Sequence, residues 1–299
     1  MSQRFRAEAA LVAVTVIWGS TFLLIKQALA NVSPLLFLLL RFSLATAALA
    51  ALLGPRAFRP AARAEAKHPV RAELAAGALC GTFLFAGYLL QTLGLALTSP
   101  AKSAFLTGLA SVMVPFLGAA VYRNRPQVSE VVGVAMATGG LALMTLNGPA
   151  GTVNPGDLLT LLCAAGFAAH IVTLGHFSER MRFEVLSIAQ AGAAAAWSAG
   201  LLWFFEMPRI VWRPEVAAAV LVGGLLATAL AFTVQAWAMQ YTSSTRTAVI
   251  FMLEPVVAWA ASFWLAGEGL SARAAAGAAL ILLGIVTVEL KPLRQRKHP

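Results

Sequence analysis

The sequence predicts an all-α polytopic membrane protein, with ten transmembrane helices arranged as two inverted five-helix repeats around a central cavity. Three observations lead to this fold class. The chain of 299 residues is 60% hydrophobic and only 11% charged, whereas a soluble domain has about 25% charged residues. Ten apolar runs are each long enough to cross a bilayer, which takes about 20 residues. Finally, the second half of the chain repeats part of the first.

The ten runs are separated by short polar or Pro/Gly-rich segments, and none alternates in polarity as the strands of a membrane barrel do. They cover residues 7–29, 34–53, 74–96, 101–122, 128–147, 155–177, 185–205, 216–240, 244–265 and 272–290. Arg4 and Arg6, followed by an apolar stretch and Ala28-Leu29-Ala30, are also compatible with a cleaved signal peptide. The stretch is too long for one, so we interpret it as the first span.

The internal repeat aligns Tyr88–Leu146 with Phe232–Leu290 without a gap, at an offset of 144 residues (232 − 88). Ten of the 59 aligned positions are identical. We therefore divide the chain into a first repeat, residues 1–147, and a second, residues 148–299. Five spans per repeat is an odd number, so the second repeat enters the membrane from the opposite face. Inverted repeats of this kind allow alternating access to a shared cavity.

The basic residues lie between the apolar runs and at the chain ends, although the net charge of +10 alone could suggest a nucleic-acid-binding protein. On the side of the N-terminus there are sixteen lysines and arginines in the loops, against five on the other side. By the positive-inside rule both termini are cytoplasmic. We therefore expect a multi-pass protein of the cytoplasmic (inner) membrane. Its expected partner is the lipid bilayer, and we expect it to bind no nucleic acid.

No pattern typical of an active site is present. The four histidines and two cysteines have no metal-ligand spacing, there is no P-loop, and no serine lies in a nucleophile elbow. We expect no enzyme activity, no metal and no cofactor. Cys80 and Cys163 lie within apolar runs and are expected to be buried, reduced thiols.

Polar and aromatic side chains within the spans are the candidate substrate-binding residues, because a polar group in a membrane is costly. Tyr88 and Gln91 share a helix face, and Phe232 and Gln235 repeat the pair. A ring beside an amide could hold an amino acid; helix packing is the alternative. The same role is assigned to Trp18, Thr21, Phe105, His170 and Phe251. For His170, proton coupling or a satisfied core histidine remain open, and Phe105 and Phe251 are also compatible with ordinary packing.

Glu254 and two prolines are the candidates for coupling and gating. The Glu254 carboxylate could bind a substrate ammonium, take up a proton, or form a structural ion pair with Arg41 or Arg246. Pro115 and Pro255 each remove a backbone hydrogen bond and should kink their spans, as gating bends or as tolerated packing prolines. The two prolines do not align in the repeat, so we expect the bends at different heights.

Several strings resemble the EamA-type transporters of the drug/metabolite transporter superfamily. They are Trp18-Gly-Ser-Thr-Phe-Leu-Leu-Ile-Lys26, Arg41-Phe42, Thr98-Ser-Pro-Ala-Lys102, Glu254-Pro255 and Gly267-Glu268. Within that superfamily the chain is most similar to the YddG-type exporters of aromatic and other amino acids. The resemblance implies a basket of ten helices around a cavity and movement of small metabolites out of the cytoplasm. The chain departs from it at Asn124, where a glutamate is common, which weakens a role for Asn124 as counterpart of Glu268.

The resulting expectation is a secondary transporter that exports aromatic and other neutral amino acids and related small metabolites by alternating access. One alternative is a sugar-phosphate or nucleotide-sugar exchanger of the same architecture, although few cations lie within the spans. Another is a membrane enzyme or scaffold without transport. The oligomeric state stays open, and a monomer is compatible with the sequence.

Overall fold

The computed structural model describes residues 2–60, 66–98, 100–123, 126–145, 154–257 and 272–289. Nearly all of these residues are helical and none forms a strand; an isolated bridge joins Val32 to Ile210. The helices are α1 (Gln3–Ala28), α2 (Pro34–Ala57), α3 (Val70–Leu97), α4 (Pro100–Gly108), α5 (Ala110–Tyr122), α6 (Val128–Thr145), α7 (Pro155–Ser178), α8 (Phe183–Phe205), α9 (Pro214–Leu221), α10 (Ala231–Ala238), α11 (Ser244–Phe251) and α12 (Ala272–Glu289). A π-helix, Val222–Leu230, joins α9 to α10.

Seven helical stretches in the described part of the chain are long and apolar enough to cross a membrane. They coincide with the predicted spans one to four and six to eight. Shorter apolar helices, Val128–Leu143 and Ala275–Val288, lie at the fifth and tenth. The ninth span, 244–265, is described only to residue 257. The predicted all-α polytopic fold is therefore confirmed, whereas the count of ten remains a prediction. The predicted boundary at residues 147–148 lies outside the described residues.

Local sequence signals position the start of α7. Asn154 accepts a hydrogen bond from the Asp157 N–H (2.9 Å), and the Asp157 carboxylate accepts one from the Asn154 N–H (3.1 Å). This reciprocal pair satisfies two backbone donors that a helix start leaves free. Pro155 occupies the first turn, where its missing N–H costs nothing. The Asn154-Pro155 sequence therefore fixes where the sixth span begins.

The third helix of the first half packs closely against the second half. A Cβ at Gly81 of α3 would lie 2.3 Å from the Gln190 carbonyl oxygen of α8, and one at Gly94 would lie 2.8 Å from the Gly156 carbonyl oxygen of α7. The segment α9–α10 packs in turn against α1 and α2. Small residues allow this close approach of helix backbones in membranes. Each third span therefore contacts the first two helices of the other half.

The helices of the fourth and ninth spans are both interrupted, and the two breaks lie at equivalent heights. The first break falls at Leu109, between α4 and α5, and the second at Met252–Leu253, after α11. Leu253 is the counterpart of Leu109 at the repeat offset of 144 (253 − 109). These breaks are not at the prolines, so the expectation that Pro115 and Pro255 bend their spans at different heights stays a prediction. Around each break the backbone bonds shift to the three-residue spacing of a 3₁₀ turn, for example Val112 N–H to Leu109 O (3.0 Å).

Candidate functional site

A central cavity lies between helices from both halves of the chain and encloses about 840 Å³ of empty space, counted out to its opening. Eight of the nine residues predicted to bind substrate line it: Trp18, Thr21, Tyr88, Gln91, His170, Phe232, Gln235 and Phe251. The ninth, Phe105 of α4, instead packs in an apolar cluster with residues of α6 and α12, including Leu141 and Ile281. Thr107 and Gly108 of the same helix line the cavity instead.

Aromatic rings from five helices form one wall of the cavity. Trp18 of α1 packs against Phe232 (5.3 Å between ring centroids) and Phe251 (4.8 Å). Tyr88 of α3 packs edge-on against Phe167 (5.1 Å) and Phe232 (6.0 Å). Edge-to-face contacts at these distances are favourable for aromatic rings. The wall is therefore pre-formed, apolar and shared between the two halves.

Arg41 of α2 contributes a buried cation to the cavity and is 2% exposed. Its Nε donates to Thr228 Oγ1 (2.7 Å), and its Nη2 donates to Tyr88 Oη (3.0 Å) and Ala227 O (3.3 Å). Its guanidinium carbon lies 4.2 Å from the centroid of the Tyr88 ring. These groups fix the plane of the guanidinium without neutralising its charge. Its third nitrogen, Nη1, donates to no residue in the described part of the chain.

Glu254 lines the same cavity but does not form the expected structural ion pair. Arg246 instead lies 3.6 Å from the carboxylate of Glu8, and Arg41 has the neutral partners given above. Within the described ranges, no cation lies within 4 Å of the Glu254 carboxylate. A basic and an acidic side chain therefore face one cavity without contacting each other.

The two predicted glutamines both reach the cavity and differ in their partners. Gln91 donates from Nε2 to Thr107 Oγ1 (3.1 Å). Gln235 is fully buried; its Nε2 has only the Met239 sulfur at 3.8 Å, and its Oε1 accepts from no described residue. A buried carbonyl without a donor costs about 1–3 kcal/mol. Gln235 Oε1 is thus a ready acceptor for a ligand donor.

His170 of α7 is held by a residue that the sequence did not identify. Its Nε2 lies 2.8 Å from Oε1 of Gln190, a fully buried residue of α8. The ring also meets Phe232 edge-on at 5.4 Å. Because an amide oxygen can only accept, this bond places the proton on Nε2. A glutamine twenty residues from a histidine gives no periodic signal that would have revealed the pair.

The π-helix Val222–Leu230 supplies further unpredicted contacts. Its Ala227 carbonyl accepts from Trp18 Nε1 (2.8 Å) as well as from Arg41, and Thr228 donates to Gly223 O (2.7 Å). A π-helix leaves the ordinary helical bonding pattern and is frequent at functional sites. Residues 222–230 hold no proline and only two glycines, so no sequence signal predicted it.

Metal chemistry has no candidate ligands in the residues that the structure describes, because no three His, Cys, Asp or Glu residues cluster there. Cys80 and Cys163 are buried free thiols. Pro115 lies within α5, and Pro255 lies in the helical residues 254–257 that follow the turn after α11. Each proline lies shortly after its helix break, Pro115 six residues after Leu109 and Pro255 two residues after Leu253.

Known proteins are similar to this chain along nearly its whole length. The profile of the EamA-like transporter family matches residues 6–146 and 154–290. A protein of Archaeoglobus fulgidus named "uncharacterized transporter" is 32% identical, with 97% of this chain and 87% of the relative covered. One of Streptantibioticus cattleyicolor, named "probable terminal-alkyne amino-acid exporter", is 26% identical over 98% of this chain and 96% of its own length. A crystal structure 21% identical in sequence superposes with a TM-score of 0.76, covering 95% and 98% of the two chains.

Proposed function

Because the chain belongs to the EamA-like transporter family, we propose that it exports aromatic and other neutral amino acids, with related small metabolites, through the central cavity by alternating access. The observation that carries this proposal is the basic and the acidic side chain that both face that cavity. Arg41 and Glu254 both line it, and neither neutralises the other. A separated cation and anion in an apolar surrounding are complementary to a zwitterion.

An α-amino acid satisfies these groups one by one. Its carboxylate is the natural acceptor for the guanidinium of Arg41, whose fixed plane suits carboxylate geometry. Its ammonium group is the natural donor to the Glu254 carboxylate and to the unpartnered Oε1 of Gln235. The aromatic wall of Trp18 and Phe232 then packs an apolar side chain. The name of the Streptantibioticus cattleyicolor relative supports the same substrate class.

The packing of α6 against α12 supports inverted repeats. A Cβ at Gly133 would lie 2.6 Å from the Gly284 carbonyl oxygen, and one at Gly140 would lie 2.4 Å from that of Gly277. At the repeat offset of 144, Gly277 is the counterpart of Gly133 and Gly284 that of Gly140. Each glycine therefore contacts the counterpart of the other, which requires equivalent helices that run antiparallel. A symmetry axis that runs across the helices, in the membrane plane, would produce such a relation.

Transport in proteoliposomes tests the proposal. Purified protein should move labelled phenylalanine and leucine down their gradients, and unlabelled neutral amino acids should compete. Amines and carboxylic acids that carry only one of the two charges should compete at least tenfold less well, since each leaves a buried charge unpaired. Flux of sugar phosphates with no amino-acid flux would overturn the proposed substrate class.

Two variants test the cavity itself. Gln235→Ala removes the unpartnered acceptor, and Gln91→Ala removes the donor to Thr107. Each should raise the KM for phenylalanine several-fold while the protein stays folded. Transport at the normal rate by both variants would contradict the role of the two amides in binding.

A further inference from the structure

Glu8, near the start of α1, joins the two halves of the chain at one end of the bundle. Its carboxylate Oε1 accepts from Thr242 Oγ1 (3.4 Å) and lies 3.6 Å from Arg246 Nη1. Thr242 and Arg246 are buried and belong to the junction between α10 and α11. We call Glu8, Thr242 and Arg246 the N-side latch. Because it includes a charged pair with little access to water, it is only weakly screened.

Asp157, at the start of α7, makes the corresponding contact at the other end of the bundle. Its carboxylate Oδ1 accepts from Thr98 Oγ1 at 2.5 Å, with both residues buried. Lys26, near the end of α1, donates to the Thr98 carbonyl oxygen (3.1 Å). From Glu8 to Lys26 is 18 helical residues, or about 27 Å. Asp157 and Thr98, the far-side latch, therefore lie across the bundle from the N-side latch.

The two latches are counterparts in the internal repeat. Thr242 is Thr98 at the offset of 144 (242 − 98), and Asp157 is Glu8 at an offset of 149 (157 − 8). The second offset also relates two pairs of cavity residues, Trp18 with Phe167 and Thr21 with His170. In each latch, an acid at the start of one half's first helix binds the threonine that follows the other half's third helix. The central cavity lies between them.

We propose that these two latches regulate access to the cavity, each holding one end of the bundle closed and each opening while the other stays made. Both are made in this structure, as expected for the closed state between the two open ones. The inference rests on the proposed alternating access, and it deepens it by naming the groups that set the balance. Repeat-related contacts at opposite ends stabilise opposite states. Loss of one latch therefore raises the population of the state that is open at that latch's end of the bundle. Loss of both latches leaves the ratio of the two open states nearly unchanged.

Each acid also has a local partner, which provides matched controls. Glu8 pairs with Arg4 one turn away (2.6 Å), and Asp157 caps α7 through the Asn154 N–H. If the two acids only stabilised their own helices, these local contacts would be sufficient. The bonds to Thr242 and Thr98, which belong to the other half, would then not be needed. Arg4→Gln removes the charged local partner of Glu8, and Asn154→Ala removes the side-chain acceptor of the α7 cap; both leave the two latches in place.

The test measures access without any transported substrate. Cys80 and Cys163 are replaced by alanine, and Thr92→Cys provides one thiol that lines the cavity. Vesicles of each orientation are treated with a membrane-impermeant maleimide, and the ratio of labelling rates from the two faces reports the ratio of the two open states. Glu8→Gln should shift that ratio about tenfold toward the N-terminal face, and Thr98→Val about tenfold toward the opposite face. The double variant should lie near the parent.

Opposite shifts, with no shift in Arg4→Gln or Asn154→Ala, would establish the latches. Shifts in the same direction, no shift, or equal shifts in the controls would overturn them. Asp157→Ala removes the same acceptor if Thr98→Val fails to reach the membrane. The readout also separates the two proposals. Opposite shifts without amino-acid flux would remove the substrate class alone, whereas normal flux with an unmoved ratio would remove the latches alone.

Discussion

Arg41 shows how a single charged residue can be stable within a largely apolar bundle. Its guanidinium has neutral hydrogen-bond acceptors on the π-helix, a phenol oxygen, and the face of the Tyr88 ring. These contacts replace water without cancelling the charge, which stays available to an anion. An ion pair with Glu254 would have offset part of the free-energy cost of burying the guanidinium. It would also have left neither side chain available to bind a zwitterion.

Arg41→Lys should raise the KM for a neutral amino acid by about tenfold, because an ammonium group cannot reproduce the planar set of donors. The measurement is initial uptake rate against substrate concentration in proteoliposomes. Tyr88→Phe is the matched control: it removes one acceptor but keeps the ring face, so its effect should be smaller. A KM unchanged in Arg41→Lys would argue that the guanidinium only supports the structure.

Gln190→Leu should destabilise the protein by about 2 kcal/mol, because the Nε2 of His170 loses its acceptor while staying buried. Thermal unfolding in detergent measures this. In a His170→Phe background, the same Gln190→Leu change should cost clearly less, since no imidazole donor remains. Equal costs in the two backgrounds would mean that the bond between the two side chains contributes little.

At the level of elements, helix breaks are positioned by more than the prolines. The fourth and ninth spans break at Leu109 and at Met252–Leu253, although Pro115 and Pro255 do not align. Pro255 follows its break closely, and its ring excludes the bond to the Phe251 carbonyl. Nothing in the local sequence explains the break at Leu109. It lies at the same height as the break in the ninth span. The two breaks therefore share a position in the bundle, not a local sequence.

Prediction from sequence was accurate for the features that depend on hydrophobicity. It failed for the features that depend on where a helix breaks or departs from regular α-helical geometry. Apolar runs identified the long helices, and the spacing of Tyr88 and Gln91 correctly indicated a shared face. The same reasoning assigned Phe105 to the cavity, but the break at Leu109 ends α4 and this ring packs toward α6 and α12. Two partners of Arg41, Thr228 and Ala227, were missed because they lie on a π-helix; an ion pair with Glu254 was one of the alternatives considered.

Gly140→Ala should destabilise the α6–α12 contact by about 1–3 kcal/mol, because the new Cβ would meet the Gly277 backbone oxygen, which cannot rotate away. Gly118→Ala in α5 is the matched control, since nothing lies within 4 Å of a Cβ there. It should leave stability unchanged or raise it by about 0.5–1 kcal/mol. Thermal unfolding in detergent compares the two variants. Equal behaviour would mean that the close approach of α6 and α12 contributes no stability.

At the scale of the whole molecule, the cavity, the two latches and the internal repeat all involve contacts between the two halves of the chain. Each half supplies aromatic rings to the cavity, and each third span packs on the other half's first two helices. Exchange of the glycine contacts between α6 and α12 requires antiparallel counterparts. These contacts support the proposed inverted repeats, in which the two halves insert in opposite directions.

Inverted halves make a topological prediction that parallel halves do not share. Lys67 lies between the second and third spans of the first half, and Met207 lies at the corresponding place in the second, 93% exposed. Counted from a cytoplasmic N-terminus, two crossings return the chain to the cytoplasm at Lys67, and seven leave it outside at Met207. In a background without Cys80 and Cys163, an impermeant maleimide added to intact cells should therefore label Met207→Cys and not Lys67→Cys. Inside-out vesicles should reverse the pattern. Labelling of both positions from the same face would mean parallel halves, and the two latches would then have no opposite states to balance.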